Sequence, residues 1–436
     1  MKSHVTLQKN ECDSNRSLSE WLDWLETLHP QEIELGLDRV REVFQRQSLR
    51  ALARKVIVVA GTNGKGSTIA MLENILLTAG YSVGSYTSPH LNYYNERVRI
   101  GGIDMDDNTL CRAFSRVECA RGETSLSYFE FGTLAAFDIF SRHKLDIVLL
   151  EVGLGGRLDA VNIIDADISV ITNIGIDHEE WLGTNREQIG AEKAGVMREQ
   201  RVCIYGERDV PQSIRDMADK QNVPLHILGE DFDFQRHNTS WQWSSKEGQK
   251  IDSLPQPALA GECQFNNAAV AIAVLQQLAD FPVDSFDIIE GLETVHCQGR
   301  YETNQDMPNC IFDVAHNAAS AAALAKTLNK YTISGRTLMV FGVMADKDIA
   351  ALVLELKDMV DKWYLAAPNV SRAAEPAAVA EVCINNGIKP NLLLQCVGVH
   401  EALEQALQDC TENDRVVVCG SFYTVAEAMR FQQDAT

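Results

Sequence analysis

The run Val56-Ile57-Val58-Val59-Ala60-Gly61-Thr62-Asn63-Gly64-Lys65-Gly66-Ser67-Thr68 narrows the choice of fold more than any other segment. Its four leading residues are apolar and β-branched, which marks a strand buried on both faces. A turn with glycines at 61, 64 and 66 and one lysine follows, and Ile69 to Leu77 then presents a wide apolar face at helical spacing. Strand, glycine turn and helix start in that order build a phosphate cradle. Glycines let backbone N–H groups close on phosphate oxygens, and the helix N-terminus adds partial positive charge. Lys65 is placed for β- and γ-phosphates, and Ser67 or Thr68 for a Mg²⁺ ion. Gly66 departs from the general P-loop pattern, in which serine or threonine follows the lysine directly. An ordinary strand-to-helix turn also uses glycines; the lysine and its context favour ATP.

Length and charge bound the rest. A chain of 436 residues has room for two or three domains with ample cores. A formal net charge of −22 argues against sequence-nonspecific nucleic-acid binding, which needs basic surface. No stretch is apolar and long enough to span a bilayer, and Met1-Lys2-Ser3-His4 leads into polar residues without an apolar signal region. The eleven cysteines are scattered with no Cys-x-x-Cys pair, so reduced, mostly buried thiols in a cytoplasmic protein are expected.

Strand and helix patterns alternate through most of the chain. Helical spacing is read over Leu18–Leu25, from Leu35, over Leu110–Cys119 and over Tyr128–Phe140. Strands are expected at Tyr81–Tyr86, Leu145–Glu151 and Ile168–Thr172. This predicts a mostly parallel sheet covered on both faces. Between Asp231 and Pro257 the texture changes: Phe232, Phe234, Trp241 and Trp243 alternate with polar residues, the pattern of a small antiparallel excursion. An alanine-rich helix from Phe265 follows. The strand–helix pattern restarts near residue 297, with strands at Cys310–Val314, Leu338–Gly342, Trp363–Ala366 and Val416–Gly420. The expected division is therefore residues 1–297 and a smaller α/β domain over 298–436.

Ligands of open parallel sheets bind beyond the carboxyl ends of the strands. Glu151 ends one strand and opens the glycine-rich Glu151-Val152-Gly153-Leu154-Gly155-Gly156-Arg157-Leu158-Asp159-Ala160. His178 follows another strand end, Thr172-Asn173-Ile174-Gly175-Ile176-Asp177. A carboxylate and an imidazole so placed are candidate metal ligands, set against the plainer reading of solvated strand-end residues. Nothing in the pattern around Lys193 singles it out from a solvated charge.

Seven segments stand in the order of one family: Gly61–Ser67, Thr87-Ser88-Pro89-His90-Leu91, Glu151–Ala160, Asp177-His178, Glu192-Lys193-Ala194-Gly195, Phe312-Asp313-Val314-Ala315-His316-Asn317 and Gly420–Val425. From about Trp21 to near the C-terminus the chain resembles the bacterial bifunctional dihydrofolate synthase/folylpolyglutamate synthase family, within the Mur-ligase superfamily of ATP-dependent amide-forming ligases. The resemblance implies an N-terminal P-loop ATP-binding domain with a mostly parallel sheet, plus a smaller C-terminal Rossmann-like α/β domain. It implies that L-glutamate is joined to dihydropteroate, and further glutamates to reduced folates, through an acyl phosphate. Phosphorylation turns a carboxylate, a poor electrophile, into one with a good leaving group.

Carried over residue by residue, Asn63, Gly64, Lys65, Gly66 and Ser67 hold the phosphates, joined at the nucleotide by Asn267, Arg300 and Asp313. Ser88 and Glu151 are implied ligands of one Mg²⁺ and His178 of a second. Lys193 matches the lysine that such enzymes carry as a carbamate, which makes a cation into an oxygen ligand for metal. Ile33, Glu34, Leu35, Gly36, Leu37, Ser127, Tyr128, Phe129, Glu130, Leu158, Asp159 and Ala160 match pterin-binding segments, and His316 and Ser421 the contacts of incoming glutamate. Gln298, Ala318 and Ala345 depart from the family pattern. A monomer is expected, since one chain supplies both domains. Two rival readings remain: a Mur-type ligase acting on a peptidoglycan precursor, and a P-loop phosphotransferase or NTPase that forms no amide. A binding protein without catalysis is disfavoured by the presence of Lys65, Glu151, His178 and Lys193 together.

Overall fold

The computed structural model describes residues 16–29, 34–303, 307 and 309–434. Ile33 of the expected pterin segment lies outside them. The first part of the chain is built on an eight-stranded sheet. Its strands are β1 (Lys55–Ala60), β2 (Val83–Tyr86), β3 (Val98–Ile100), β4 (Ile103–Asp104), β5 (Ile147–Glu151), β6 (Ile168–Ile171), β7 (Val202–Tyr205) and β8 (Leu225–Ile227), in the order β4-β3-β2-β5-β1-β6-β7-β8. Pairing is parallel from β2 to β8, and antiparallel where β3 joins β2 and β4 joins β3.

Strand β1 is central, and its side chains alternate between two cores. Val56, Val58 and Ala60 pack with helices α1 (Leu18–Leu28), α2 (Asp38–Gln47), α4 (Asp107–Arg121) and α5 (Tyr128–Ser141), α3 being Lys65–Thr78. Ile57 and Val59 pack with α3 and the helices Cys263–Gln276 and Ser285–Thr294. A period of two with both faces covered is what a buried parallel strand requires. The register Val59↔Glu151 and Ala60↔Ile171 brings β1, β5 and β6 to an end at one level. The loops that follow them therefore share one edge of the sheet, where β1's connections diverge to either side.

The antiparallel excursion is present as β9 (Phe232–Arg236), β10 (Ser240–Ser245) and β11 (Lys250–Pro255). Trp241 and Trp243 are buried, and Phe234 stacks on, and Trp241 packs edge-on against, Phe265 of the helix Cys263–Gln276. The C-terminal sheet runs β12 (Glu302–Thr303), β13 (Cys310–Phe312), β17 (Arg415–Cys419), β14 (Thr337–Phe341), β15 (Lys362–Leu365), β16 (Leu393–Gln395), parallel except for β12. It has its own two cores, one on each face.

The structure differs from expectation in three respects. The β3–β4 hairpin and the short strands β7, β8 and β16 were not legible, because three- and four-residue strands such as Leu225-His226-Ile227 carry little periodic signal. Helix α2 begins at Asp38 rather than Leu35. Nine cysteines among the described residues are free thiols, as expected, but Cys119 is disulfide-bonded. No helix among the described residues is long and apolar enough to cross a membrane.

Candidate active site

The cradle after β1 is held by its backbone. Gly61 has φ +144°, and a Cβ there would stand 1.8 Å from Thr172 Oγ1. Gly64, with φ +84°, caps α3, and a Cβ there would meet Asn267 Oδ1 at 2.6 Å. Only glycine fits either position. Strand β6 grips the turn from beside it: the N–H groups of Thr62 and Asn63 donate to Asn173 Oδ1 at 3.1 and 2.8 Å, and Thr172 Oγ1 donates to Asn63 O at 2.6 Å. Asn173 is a contributor that the sequence reading did not single out; its place just past a strand end was the available signal.

Two ammonium groups converge on a single carbonyl. Lys65 Nζ donates to Gly61 O at 3.1 Å, and Lys193 Nζ, from α7 (Arg186–Ala194; α6 is Glu179–Leu182), donates to the same oxygen at 3.0 Å. Burial pushes both lysines below their usual range, and the Lys65 charge adds to the effect on Lys193, which falls to about 7. Glu151 and Asp177 work the other way on Lys65. Lys193 thus holds a large neutral fraction near pH 7, a property the bare sequence could not reveal. Its helix is pressed against the glycine loop after β5: a Cβ on Gly156 would stand 2.9 Å from Glu192 O. One small cleft is lined by Gly61, Lys65, Gly153, Asp177, His178 and Lys193. His178 is exposed at its rim, at φ +53°.

Glu151 is buried at the end of β5 and accepts the N–H of Ser88 at 3.1 Å. Burial raises its carboxyl and Lys65 opposes the rise. A Cβ on Gly66 would lie 3.8 Å from Glu151 Oε2 and 3.7 Å from Arg300 Nη2. The start of α3, the β5 carboxylate and an arginine from the C-terminal part therefore meet at one place. Ser67 is buried in the first turn of α3, and the buried Thr68 hydroxyl beside it has no hydrogen-bond partner. Asp313 does not reach outward: its carboxylate accepts the N–H groups of Tyr301 and Ala315 at 3.0 and 2.9 Å, which fixes the loop that carries Arg300. The Arg300 guanidinium also lies over the Phe422 ring, 5.3 Å from its centroid.

The two sheets are joined across the cleft. Asn63 and Asn317 exchange side-chain amide hydrogen bonds at 3.1 and 3.0 Å. Asp177 accepts from Asn317 at 3.0 Å and pairs with Lys347 at 2.5 Å, with His316 Nε2 at 3.5 Å. Burial works against the Asp177 carboxylate, but the His316, His178 and Lys347 neighbours hold it well below the usual range. Asn317 ends a segment quoted from the sequence and Lys347 lies two residues beyond Ala345, yet no role was read for either. Ser421 is buried and spends its hydroxyl on Thr424, capping the last helix, while its neighbour Phe422 lies 5.8 Å from the His316 ring.

On the other side of the sheet's edge, Phe129 packs onto Gly153, where a Cβ would come within 2.6 Å of the ring, and tilts against Tyr86 at 6.0 Å. Ser127 and Glu130 form the capping box that starts α5, and Glu130 also holds Arg39, which pairs in turn with Glu34. Leu35, Gly36 and Leu37 lead into α2 at a half-exposed surface, with Gly36 free of close neighbours. Asp159 is buried and accepts the N–H groups of Leu154 and Val161 at 2.8 and 3.0 Å; burial nevertheless pushes it up to about 6. Ala160 is buried next to it, and Leu158 is partly exposed. These residues shape a wall around Phe129 and Tyr128, and several polar ones act by holding that wall in place.

Residues 59–275 match the Mur ligase middle domain, and residues 299–422 match the Mur ligase glutamate ligase domain. The chain is 41% identical to the dihydrofolate synthase/folylpolyglutamate synthase of Escherichia coli over 412 residues, 94% of each chain. It superposes on E. coli FolC in complex with DHPP and ADP with a TM-score of 0.91 and 40% identity, covering 97% of this chain and 99% of that one. On the bifunctional enzyme from Yersinia pestis complexed with AMPPNP and Mn ion, the TM-score is 0.88 at 42% identity, covering 96% and 98%. Both Mur ligase domains and relatives at 40% identity or more along nearly the whole length agree, and the chain belongs to the dihydrofolate synthase/folylpolyglutamate synthase family of Mur ligases, ATP-dependent acid–amino-acid ligases.

Proposed function

We propose that this chain joins L-glutamate to dihydropteroate, giving dihydrofolate, and adds further glutamates to reduced folates, with ATP as the energy source. The observation that carries the reading is the meeting of Gly66, Glu151 and Arg300 at the end of β1 and β5. The triphosphate lies along Asn63, Gly64, Lys65, Gly66 and Ser67, with Asn267 beneath Gly64 and with Arg300, set by Asp313, reaching over it. Lys65 and Arg300 take the charge of the transferring phosphoryl group as the substrate carboxylate attacks the γ-phosphorus. ADP leaves, and an acyl phosphate remains. The amino group of L-glutamate, brought in by the C-terminal part near His316 and Ser421, attacks the acyl carbon. Phosphate departs and the amide is formed.

The donors present suit Mg²⁺, which keeps several waters and takes one or two carboxylates plus substrate phosphates. Glu151 and Ser88 would hold one ion, and His178 with a carbamylated Lys193 a second. Bound there, Mg²⁺ supplies charge neutralisation on the phosphates. A Lys193 amine that titrates near 7 supports carbamylation, because only the neutral amine adds carbon dioxide. Phe129, Tyr128 and the 158–160 loop form the pterin wall, with Asp159 setting the loop and facing the ring's amino hydrogens. Residues 1–297 and 298–436 act as two bodies that close on ATP in a cytoplasmic monomer.

The test is the coupling of ATP consumption to both partners. Pure protein should release ADP rapidly only when a pteroate or folate and L-glutamate are both present. ADP release at the same rate without glutamate would return the chain to the NTPase reading, and turnover with a peptidoglycan precursor instead would favour the other Mur-type reading.

A further inference from the structure

Three half-buried arginines pair with acids, whereas the two fully buried ones among the described residues, Arg97 and Arg415, do not. Arg39 pairs with Glu34 and Glu130, Arg99 with Glu73, and Arg116 with Asp138. Arg415 lacks an acid, but its guanidinium is filled by Leu328 O, Tyr331 O and Thr337 Oγ1. Arg97 has neither. It is only 9% exposed, and no carboxylate among the described residues comes within ion-pair distance. Its Nε donates to His90 Nδ1 at 2.8 Å, with the Tyr86 hydroxyl alongside. The rings of Tyr94 and Tyr128 flank its guanidinium at 5.3 and 5.5 Å. The His90 imidazole accepts the Arg97 bond at Nδ1, and a histidine side chain carries no negative charge that could balance the guanidinium. Arg430, from the last helix, adds a second positive charge near His90, and Tyr423 of that helix faces Arg97. The same cluster leaves the buried Tyr94 hydroxyl without a hydrogen-bond partner. A desolvated cation among neutral aromatics is suited to receive an anion, since buried charges are otherwise paired.

The place of Arg97 narrows the anion. It ends the turn Tyr94–Arg97 after the Ser88–Leu91 segment and touches Tyr128, the first residue of α5, beside Phe129. It is therefore on the acceptor's side of the site. Dihydropteroate carries one carboxylate, the one that is activated. A pteroylglutamate carries two: the γ-carboxylate is activated and the α-carboxylate is a spectator. On the ligase reading given above, we infer that Arg97 receives the spectator α-carboxylate of the acceptor's glutamate tail, and so serves tail elongation rather than the first ligation. A planar guanidinium gives that carboxylate two parallel hydrogen bonds, which a neutral side chain or an ammonium does not match.

The experiment compares three acceptors in the full-length enzyme: tetrahydropteroylglutamate, the analogue with 4-aminobutyrate in place of glutamate, which keeps the γ-carboxylate and lacks the α, and dihydropteroate. The wild type should prefer the glutamate form over the aminobutyrate form by about 10- to 100-fold in kcat/KM, the range of a charged hydrogen-bonded pair. Arg97→Gln should collapse that preference through KM for the folate, and Arg97→Lys should restore part of it. Equal use of the two folates by the wild type overturns the assignment without any variant, as does a preference that survives in Arg97→Gln. A rise in KM for L-glutamate in the dihydropteroate reaction as well would assign Arg97 to the incoming amino acid and also overturn it. Failure of every acceptor in the wild type would strike the ligase reading itself, a distinguishable result.

Discussion

Lys193 shows how much one side chain can hide. In the sequence it is a lysine in a short helix of small residues; in the folded chain it is 4% exposed and shares the Gly61 carbonyl with Lys65. Its amine titrates near 7 when folded and near 10.5 when solvated. Between those values the unfolded chain binds a proton that the folded chain does not, so this group's contribution to stability rises with pH across that window and is least favourable below pH 7. Lys193→Met should therefore stabilise the ligand-free protein by about 0.5–2 kcal/mol at pH 6.5, with the gain shrinking toward pH 10. Urea melts at the two pH values in carbon dioxide-depleted buffer measure it. A constant gain at both would deny the depressed amine. Lys193→Ala should also lower ligation by about 100-fold with the fold intact. Wild-type turnover by that variant, without an added short carboxylate, would remove the proposed carbamate.

At the scale of elements, the site is set by loops that leave three strands at one level. The strand β1, the cradle and the strand-end place of Glu151 were legible because a long apolar run and a glycine turn each leave a local mark. The wall around Phe129 was read as contact with the pterin, residue by residue. The folded chain divides that work: Ser127, Glu130 and Asp159 spend hydrogen bonds on backbone N–H groups, which no spacing announces. The loop's fit against the ring gives a test. Gly153 is exposed, yet a Cβ there would stand 2.6 Å from Phe129. Gly153→Ala should raise KM for dihydropteroate by about 10-fold or more by displacing the ring, as small misplacements in a positioned site do. Stability should stay within about 0.5 kcal/mol. An unchanged KM with a normal melting curve would show that Phe129 does not shape the pterin side.

The whole molecule depends on contacts between residues far apart in sequence, which a single sequence does not reveal. Asn63 meets Asn317, and Asp177 meets Lys347, across the cleft between the two sheets. Removing the cation leaves the buried Asp177 carboxylate without its closest positive partner. Lys347→Met should loosen closure, with a kcat/KM lower by about 10-fold or more and a larger radius of gyration by X-ray scattering with a nucleotide analogue. Scattering identical to the wild type would separate the pair from closure. The central claim, that this closed site makes amides with glutamate on two acceptors, is tested most directly by mass spectrometry of products. Pure protein, ATP, Mg²⁺ and L-glutamate are incubated with dihydropteroate in one vessel and tetrahydrofolate in another. Dihydrofolate from the first and a glutamate-extended folate from the second are the expected masses; ATP consumed in both vessels with neither product formed would contradict the account.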